Sequence, residues 1–324
     1  SRGDDLGPLH GVPVSIKDLV FTGGVRTTGG SRIFEDFVPD EDAVVVDKLK
    51  QAGAIILGKT NTPEFGHKGV TDNQLFGTTY NPWRNDRSAG GSSGGAGVAA
   101  ATGMGPLALG TDGGGSIRIP ASFCGVYGLK PQFGRVAKGA GFPGMPSFSH
   151  AGPMTRTVRD AALMLDAIAG PDERDRASLP EHEVSYLSSC EGGVKGLRVA
   201  WSPDFGYAAV DPQVRSIAEK AARAFDALGC ELVEEDPGFD DPEEIFMTIA
   251  LSDMYGAWGG KLEEWGDKMD PTLVELLRES GTISAADYVK AGHGREAFWN
   301  RVRQFFERYD LLLSPSTAAP PFSA

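Results

Sequence analysis

"DAVVVDKLKQAGAIILGKTNTPEFG", Asp42 to Gly66, changes from one periodicity to another across a single glycine. Val44, Val45, Leu49 and Ala52 recur at helical spacing and define one apolar face. Gly53 fits the position just past a helix end, where glycine takes the left-handed backbone without strain. Ala54 to Leu57 then form a short apolar run, the expected mark of a buried strand. A helix feeding a strand is half of an α/β repeat.

The same alternation runs through the chain. "GGAGVAAATG" (94–103) reads as a small-residue helix, and "PLALGTD" (106–112) as a strand ending at Thr111 and Asp112. "TRTVRDAALMLDAIAG" (155–170) is amphipathic, with Val158, Ala162 and Leu165 expected inward and Gly170 as the stop. "GLRVAWS" (196–202) and "CELVEE" (230–235) read as strands. Between them "DPQVRSIAEKAARAFDALGC" has Asp211 as N-cap, Pro212 in the first turn and Gly229 after the end. Ser284 to Tyr309 supports a long helix with "AGHG" as a candidate interruption, and "DLLLSP" closes with a strand. This pattern predicts an α/β fold whose central twisted sheet, mostly parallel or mixed, is covered by helices on both faces. "PDERDRASLPEHE" (171–183) is linker-like but short, so one domain over 1–324 is expected.

Composition narrows the function. The 324 residues carry a net charge of −13, with 31 basic against 44 acidic side chains, which argues against a nucleic-acid partner. Cys124, Cys190 and Cys230 show no paired spacing, so reduced thiols in a cytoplasmic protein are expected. No apolar run is long enough to span a membrane, and no leader is visible. Five histidines, His10, His67, His150, His182 and His293, lack metal-ligand spacing, so neither metal nor other cofactor is expected.

Two motif matches fail on context. "GAIILGKT" (53–60) fits the phosphate-loop pattern, yet its middle is a strand and Pro63 stands where a helix should continue. "GAGFPG" (139–144) fits GxGxxG, but no strand precedes it and Pro143 blocks the helix.

Three other stretches carry the chemistry. In "GPLHGVPVSIKD" (7–18), Val12, Val14 and Ile16 alternate with Pro13, Ser15 and Lys17, so Lys17 faces away from Ile16 and from Asp18. "SAGGSSGGAG" (88–97) is a flexible connector or a helix-opening loop with bare N–H groups. "GTDGGGSIR" (110–118) sets Ser116 behind three glycines. Both Ser92 and Ser93 also fit the GxSxG elbow, which opens a rival reading as an α/β-hydrolase-type esterase using His150 or His182.

Lys17, "GGSSGG" and "GGGS", taken with "ILGKTNTPEFG" (56–66) and "HAGPMTRTVRDAA" (150–162), resemble the amidase signature family in order and spacing: positions 17 to 92 and 92 to 116 match. The likeness is detailed over about residues 6 to 170 and looser through "LLLSPSTAAPPF" (311–322). Family members are usually longer at both ends, so the chain is expected to lack N-terminal helices and part of the C-terminal region. The resemblance implies the amidase signature fold and a Ser-Ser-Lys relay, with Ser116 as nucleophile, Ser92 as the bridging serine after a cis peptide, and Lys17 as base. It does so where the residues alone leave Ser92 and Ser93 undecided.

The chemistry of that assignment is demanding. A serine hydroxyl needs a base; Ser92 can accept that proton while donating its own. Lys17 must then be neutral against a free pKa of about 10.4, which requires burial away from carboxylates at about 1.4 kcal/mol per unit. N–H groups of Gly113, Gly114, Gly115 and Ser116 would form an oxyanion hole, with Asp112 and Arg118 as structural support. Gly91, Ser93, Phe142, Met145 and Phe148 are candidate substrate contacts, the last three in the loop "KGAGFPGMPSFSH" (138–150), which suits an apolar or aryl acyl group. The implied partner is a small-molecule amide, with a homodimer left open. The rival functions are a glutaminase-type subunit of a tRNA-dependent amidotransferase and a non-catalytic binding protein on the same scaffold.

Overall fold

The computed structural model describes residues 6–324, which gather into two compact units. One holds the chain up to Glu191 together with Gly260–Glu275 and Pro321–Ala324; the other holds Gly192–Gly259 and Leu276–Pro320.

The first unit runs β1 (Pro13–Lys17), α1 (Val44–Gln51), β2 (Ile55–Thr60), α2 (Gly94–Thr102), β3 (Leu107–Asp112), α3 (Arg118–Cys124), β4 (Tyr127–Gly128), β5 (His150–Thr155) and α4 (Val158–Ile168). Five of its strands form one sheet in the order β2-β1-β3-β5-β4, and Asp72–Asn73 pairs separately with Gly77–Thr78. β1 is parallel to β2 and to β3, while β5 is antiparallel to β3 and β4, so the sheet is mixed.

Alternation along these strands builds two different faces. Val14, Ile16, Leu107 and Leu109 pack against Val45, Val46 and Leu49 of α1 and Met164, Leu165 and Ile168 of α4. On the other side Ala108 and Met154 meet Ala96 and Ala100 of α2 and Ile117 and Ala121 of the α3 segment. The small-residue side lets α2 lie close: a Cβ on Gly95 would fall 2.3 Å from the Asn61 nitrogen, and one on Gly97 3.2 Å from Cys124 Sγ. Ile16 therefore enters the leucine-rich core while Lys17 turns toward the start of α2.

Local signals explain the element ends. Gly53 ends α1 at φ +84°, and Thr157 caps α4 by accepting the Asp160 N–H. Two expectations about burial need correction. Ile55 and Leu57 are half exposed because β2 is an edge strand, and Val158 is exposed because the buried face of α4 is Ala161, Ala162, Met164, Leu165 and Ile168. β5 has no counterpart in the sequence reading, since Gly152 and Pro153 hide its alternation.

The second unit contains β6 (Arg198–Trp201), α5 (Pro212–Ala222), β7 (Glu231–Glu234), α6 (Glu243–Trp258), α7 (Ala285–Phe305) and β8 (Leu311–Leu313). Its sheet is parallel, in the order β8-β6-β7. Asp211 caps α5 by accepting the Gln213 and Val214 N–H groups, but the helix breaks at Arg223. α7 runs uninterrupted through Ala291–Gly294, opened by a capping box of Ser284 and Asp287. Among the described residues no helix is long and apolar enough to cross a membrane.

Candidate active site

Lys17 ends β1 with no exposure to solvent. Its Nζ lies 2.7 Å from Ser92 Oγ, 3.0 Å from Thr111 Oγ1 and 3.5 Å from the Thr111 carbonyl oxygen. Burial lowers its pKa to about 7, against a smaller opposing pull from Asp112. The expected isolation from carboxylates is thus incomplete. Asp18 does turn away, taking the N–H and the hydroxyl of Thr28, but Asp112 is near enough to favour the charged amine. Desolvation still dominates, and Asp112 is itself paired with Arg118.

That pair organises the glycine loop. Arg118 Nε and Nη2 donate to the Asp112 carboxylate at 2.9 and 2.8 Å, and the Gly115, Ile117 and Arg118 N–H groups donate to the same two oxygens. Burial would raise the Asp112 pKa, yet these donors, led by the Arg118 guanidinium, hold it at about 2. A buried carboxylate with five donors is fully satisfied and folds the loop around itself.

The oxyanion assignment changes accordingly. The Gly115 N–H is spent on Asp112 Oδ1 at 2.8 Å and is withdrawn from the candidate hole. Among the described residues the N–H groups of Gly113, Gly114 and Ser116 remain without a partner. Gly115 is a conformational requirement instead: its φ is +114°, and a Cβ there would meet Ile119 Cδ1 at 2.9 Å.

Ser92 is buried and follows a cis Gly91–Ser92 peptide bond. Ser116 is half-buried, and its carbonyl accepts the Ser93 N–H at 3.0 Å, which ties the two serine loops together. Its hydroxyl makes no hydrogen bond among the described residues, so the chain of contacts is closed from Lys17 to Ser92 and open from Ser92 to Ser116.

Ser93 is not a substrate contact. It is fully buried, and its Oγ donates to the Thr111 carbonyl at 3.1 Å and accepts the Thr111 N–H at 3.2 Å. That stitch fixes the start of α2 to β3 and removes Ser93 as an elbow nucleophile. Gly91 is likewise a packing residue, since a Cβ there would fall 2.4 Å from the Val70 carbonyl oxygen. His150 Nδ1 faces the Asp112 carbonyl and His182 Nδ1 faces Val184, so neither supplies a Ser-His pair.

The loop residues divide. Met145 lies over the glycine loop, with Cε 2.6 Å from where a Gly113 Cβ would be, and the Phe148 backbone is close by at 3.9 Å. Phe142 belongs to a ring cluster with Phe21, Phe34, Phe37 and Phe65, and Trp265 packs on Phe34. Thr111 was not singled out from sequence. Strict alternation sends it to the side of Leu107 and Leu109, so periodicity gave no reason to pair it with Lys17.

A hydroxyl beside bare amides, with a base held on a second hydroxyl, is the equipment of a hydrolase acting through serine. The amidase family model matches residues 1–324. The chain is 44% identical to an acylamidase of Rhodococcus erythropolis over 324 residues, which covers 99% of this chain and 68% of that protein. It is 37% identical over 347 residues to a glutamyl-tRNA(Gln) amidotransferase subunit from Heliobacterium modesticaldum, covering 99% of this chain and 71% of that one. Among solved structures, a bacterial aryl acylamidase of the amidase signature enzymes superposes with a TM-score of 0.92 at 32% identity, over 99% of this chain and 69% of its own. A 6-aminohexanoate cyclic dimer hydrolase gives 0.90 at 32%, over 98% and 69%. The chain belongs to the amidase signature family, adopts its fold and is an amide-hydrolysing enzyme.

Proposed function

We propose that this enzyme hydrolyses a small carboxylic amide by acyl transfer to Ser116, with Ser92 and Lys17 moving the proton. The observation that carries this reading is the fully buried Lys17 amine, 2.7 Å from Ser92 Oγ with both Thr111 oxygens beyond it. A neutral amine has two hydrogens and one lone pair. Its hydrogens satisfy the Thr111 hydroxyl oxygen and carbonyl, which leaves the lone pair for the Ser92 hydroxyl.

Substrate orders the Ser116 hydroxyl toward Ser92, the kind of contact that commonly tightens only on binding. Ser92 then takes the Ser116 proton as it gives its own to Lys17, and Ser116 Oγ bonds to the carbonyl carbon. The N–H groups of Gly113, Gly114 and Ser116 hold the resulting oxyanion, each donor supplying about 3 kcal/mol. The C–N bond breaks as the proton returns from Lys17 through Ser92 to the leaving nitrogen. Ammonia or amine departs and an ester remains on Ser116. Water adds to that ester by the same proton route, and the acid leaves.

Phe142, Met145 and Phe148 are assigned to the acyl pocket, a reading supported for Met145 and Phe148 by their position at Gly113 and for Phe142 by its place among aromatic rings. An apolar or aryl acyl group suits such a lining. The match over residues 1–324 supports one family domain, and three free cysteines support a cytoplasmic setting. Light scattering in solution decides between monomer and homodimer.

Mass spectrometry after brief exposure to a panel of activated esters and amides, glutamine included, tests the scheme. An acyl adduct is expected on the peptide holding Ser116, largest for apolar or aryl acyl groups. An adduct on another residue overturns it, and preference for glutamine shifts the reading to the glutaminase type.

A further inference from the structure

Glu64 is 2% exposed, and the relay makes no use of its carboxylate. Both its oxygens are engaged: Ser31 Oγ donates to Oε1 at 2.5 Å, and the Asp270 backbone N–H donates to Oε2. Burying a carboxylate is costly unless it is hydrogen-bonded, and these two donors meet that requirement from opposite ends of the chain. Lys68 is not among its bonded partners, being occupied by Asp72 and Asp270 at 3.0 Å each.

These bonds hold one tight turn. Within Glu64–Gly66, Phe65 has φ +49° and Gly66 φ +73°, and the Phe65 N–H donates to the Gly29 carbonyl at 2.8 Å. His67 fixes the far side. Its Nδ1 lies 2.8 Å from the Glu64 carbonyl, which only accepts, so Nδ1 carries a hydrogen, and Nε2 lies 2.8 Å from Thr272 Oγ1, whose own hydrogen goes to Asp270 Oδ1 at 2.7 Å. The inner surface of the turn is Gly66, and it sits on the relay: a Cβ there would fall 3.1 Å from Ser92 Oγ and 2.9 Å from Leu19 Cδ1.

We infer that Glu64 is a positioning residue for the bridging hydroxyl, holding through its two donors the Glu64–His67 turn whose Gly66 packs against Ser92 Oγ. It touches neither substrate nor the reacting atoms. Its effect falls on the orientation of Ser92, and hence on proton delivery to the leaving nitrogen. This rests on the proposed relay.

Glu64→Gln keeps the size but removes the charge and one acceptor oxygen, so the Ser31 hydroxyl must either reverse its bond to accept from the new amide or lose it, and the Asp270 N–H no longer meets a carboxylate. In the full chain, the expected result is a fall of at least 10-fold in kcat for an anilide with KM within 2-fold. Turnover of the matching p-nitrophenyl ester should fall less, because a phenolate leaves without a proton while an amine does not. Gly66→Ala should show the same amide-selective loss. It keeps the inference testable if Glu64→Gln fails to fold, as judged by thermal unfolding. Folded variants with wild-type amide turnover, or with amide and ester turnover lowered equally, overturn the role of Glu64 alone. A wild-type chain that hydrolyses no amide, or a Ser116→Ala variant that does, removes the relay and this inference with it.

Discussion

Two lysines stand near the ends of adjacent strands, Lys17 fully buried and Lys59 partly so, and the proposed relay uses only Lys17. Lys17 ends β1, and Lys59 pairs with Ile16 from β2, on the side of the sheet opposite Lys17. Burial is the leading cause of a lowered pKa in both, to about 7 and about 8. Their partners differ in kind. Lys59 donates to the Val20 carbonyl and to Thr22 Oγ1, with Asp18 and Asp42 favouring its charge, so it fastens a loop. Lys17 meets a serine hydroxyl that can give up a proton. Desolvation makes a lysine a usable base, and in the proposed relay the Ser92 hydroxyl is what gives that base something to do.

Substitutions can break that comparison, beginning with the largest effect. Ser116→Ala should lower amide hydrolysis by about 10⁴-fold or more with thermal unfolding unchanged, because the hydroxyl is half-buried and unbonded. Lys17→Met should cost about 10³-fold in kcat/KM, within the range of a lost general base, while Lys59→Met stays within 10-fold. Equal losses in the two would erase the distinction.

The pH profile sharpens it. In the proposed relay neutral Lys17 is the active form, and with burial lowering its pKa to about 7, kcat/KM should rise tenfold per unit below pH 7 and level above it. That limb should survive in Lys59→Met. Thr111→Val removes one of the two acceptors that aim the Lys17 lone pair, and a loss of about 10-fold in kcat is expected, below the about 10²-fold or more that losing a general base itself would cost. A further effect is thermodynamic. Between pH 7 and 10.5 the unfolded chain holds a proton on Lys17 that the folded chain lacks, so stability rises with pH across that window. Denaturant titrations of Lys17→Met should show that slope reduced by up to about 1.4 kcal/mol per pH unit.

Much of this was legible in the sequence, for identifiable reasons. The period-two reading of "VPVSIK" placed Lys17 opposite Ile16, and the helix-then-strand reading of Asp42 to Thr60 placed α1 and β2. Pattern cannot see what depends on the third dimension. Ser92 and Ser93 are adjacent and alike, and only the resemblance chose between them; the fold puts one on Lys17 and the other on Thr111. The Gly115 N–H looked as bare as those of Gly113 and Gly114 until Asp112, three residues earlier, was found to be turned back onto it. Ile55 and Leu57 read as buried because edge position is a property of strand order, which no local window contains.

The glycines beneath the serines have a consequence for how such an enzyme can diversify. Side chains at Gly91, Gly94 or Gly95 would collide within 2.4 Å of neighbouring atoms, so this floor offers selection almost no accepted changes. By contrast Gly144, in the loop that carries Met145, has open space around it. New substrate preferences are therefore expected to be written into that loop, by insertion and exchange, above a chemical floor that stays fixed.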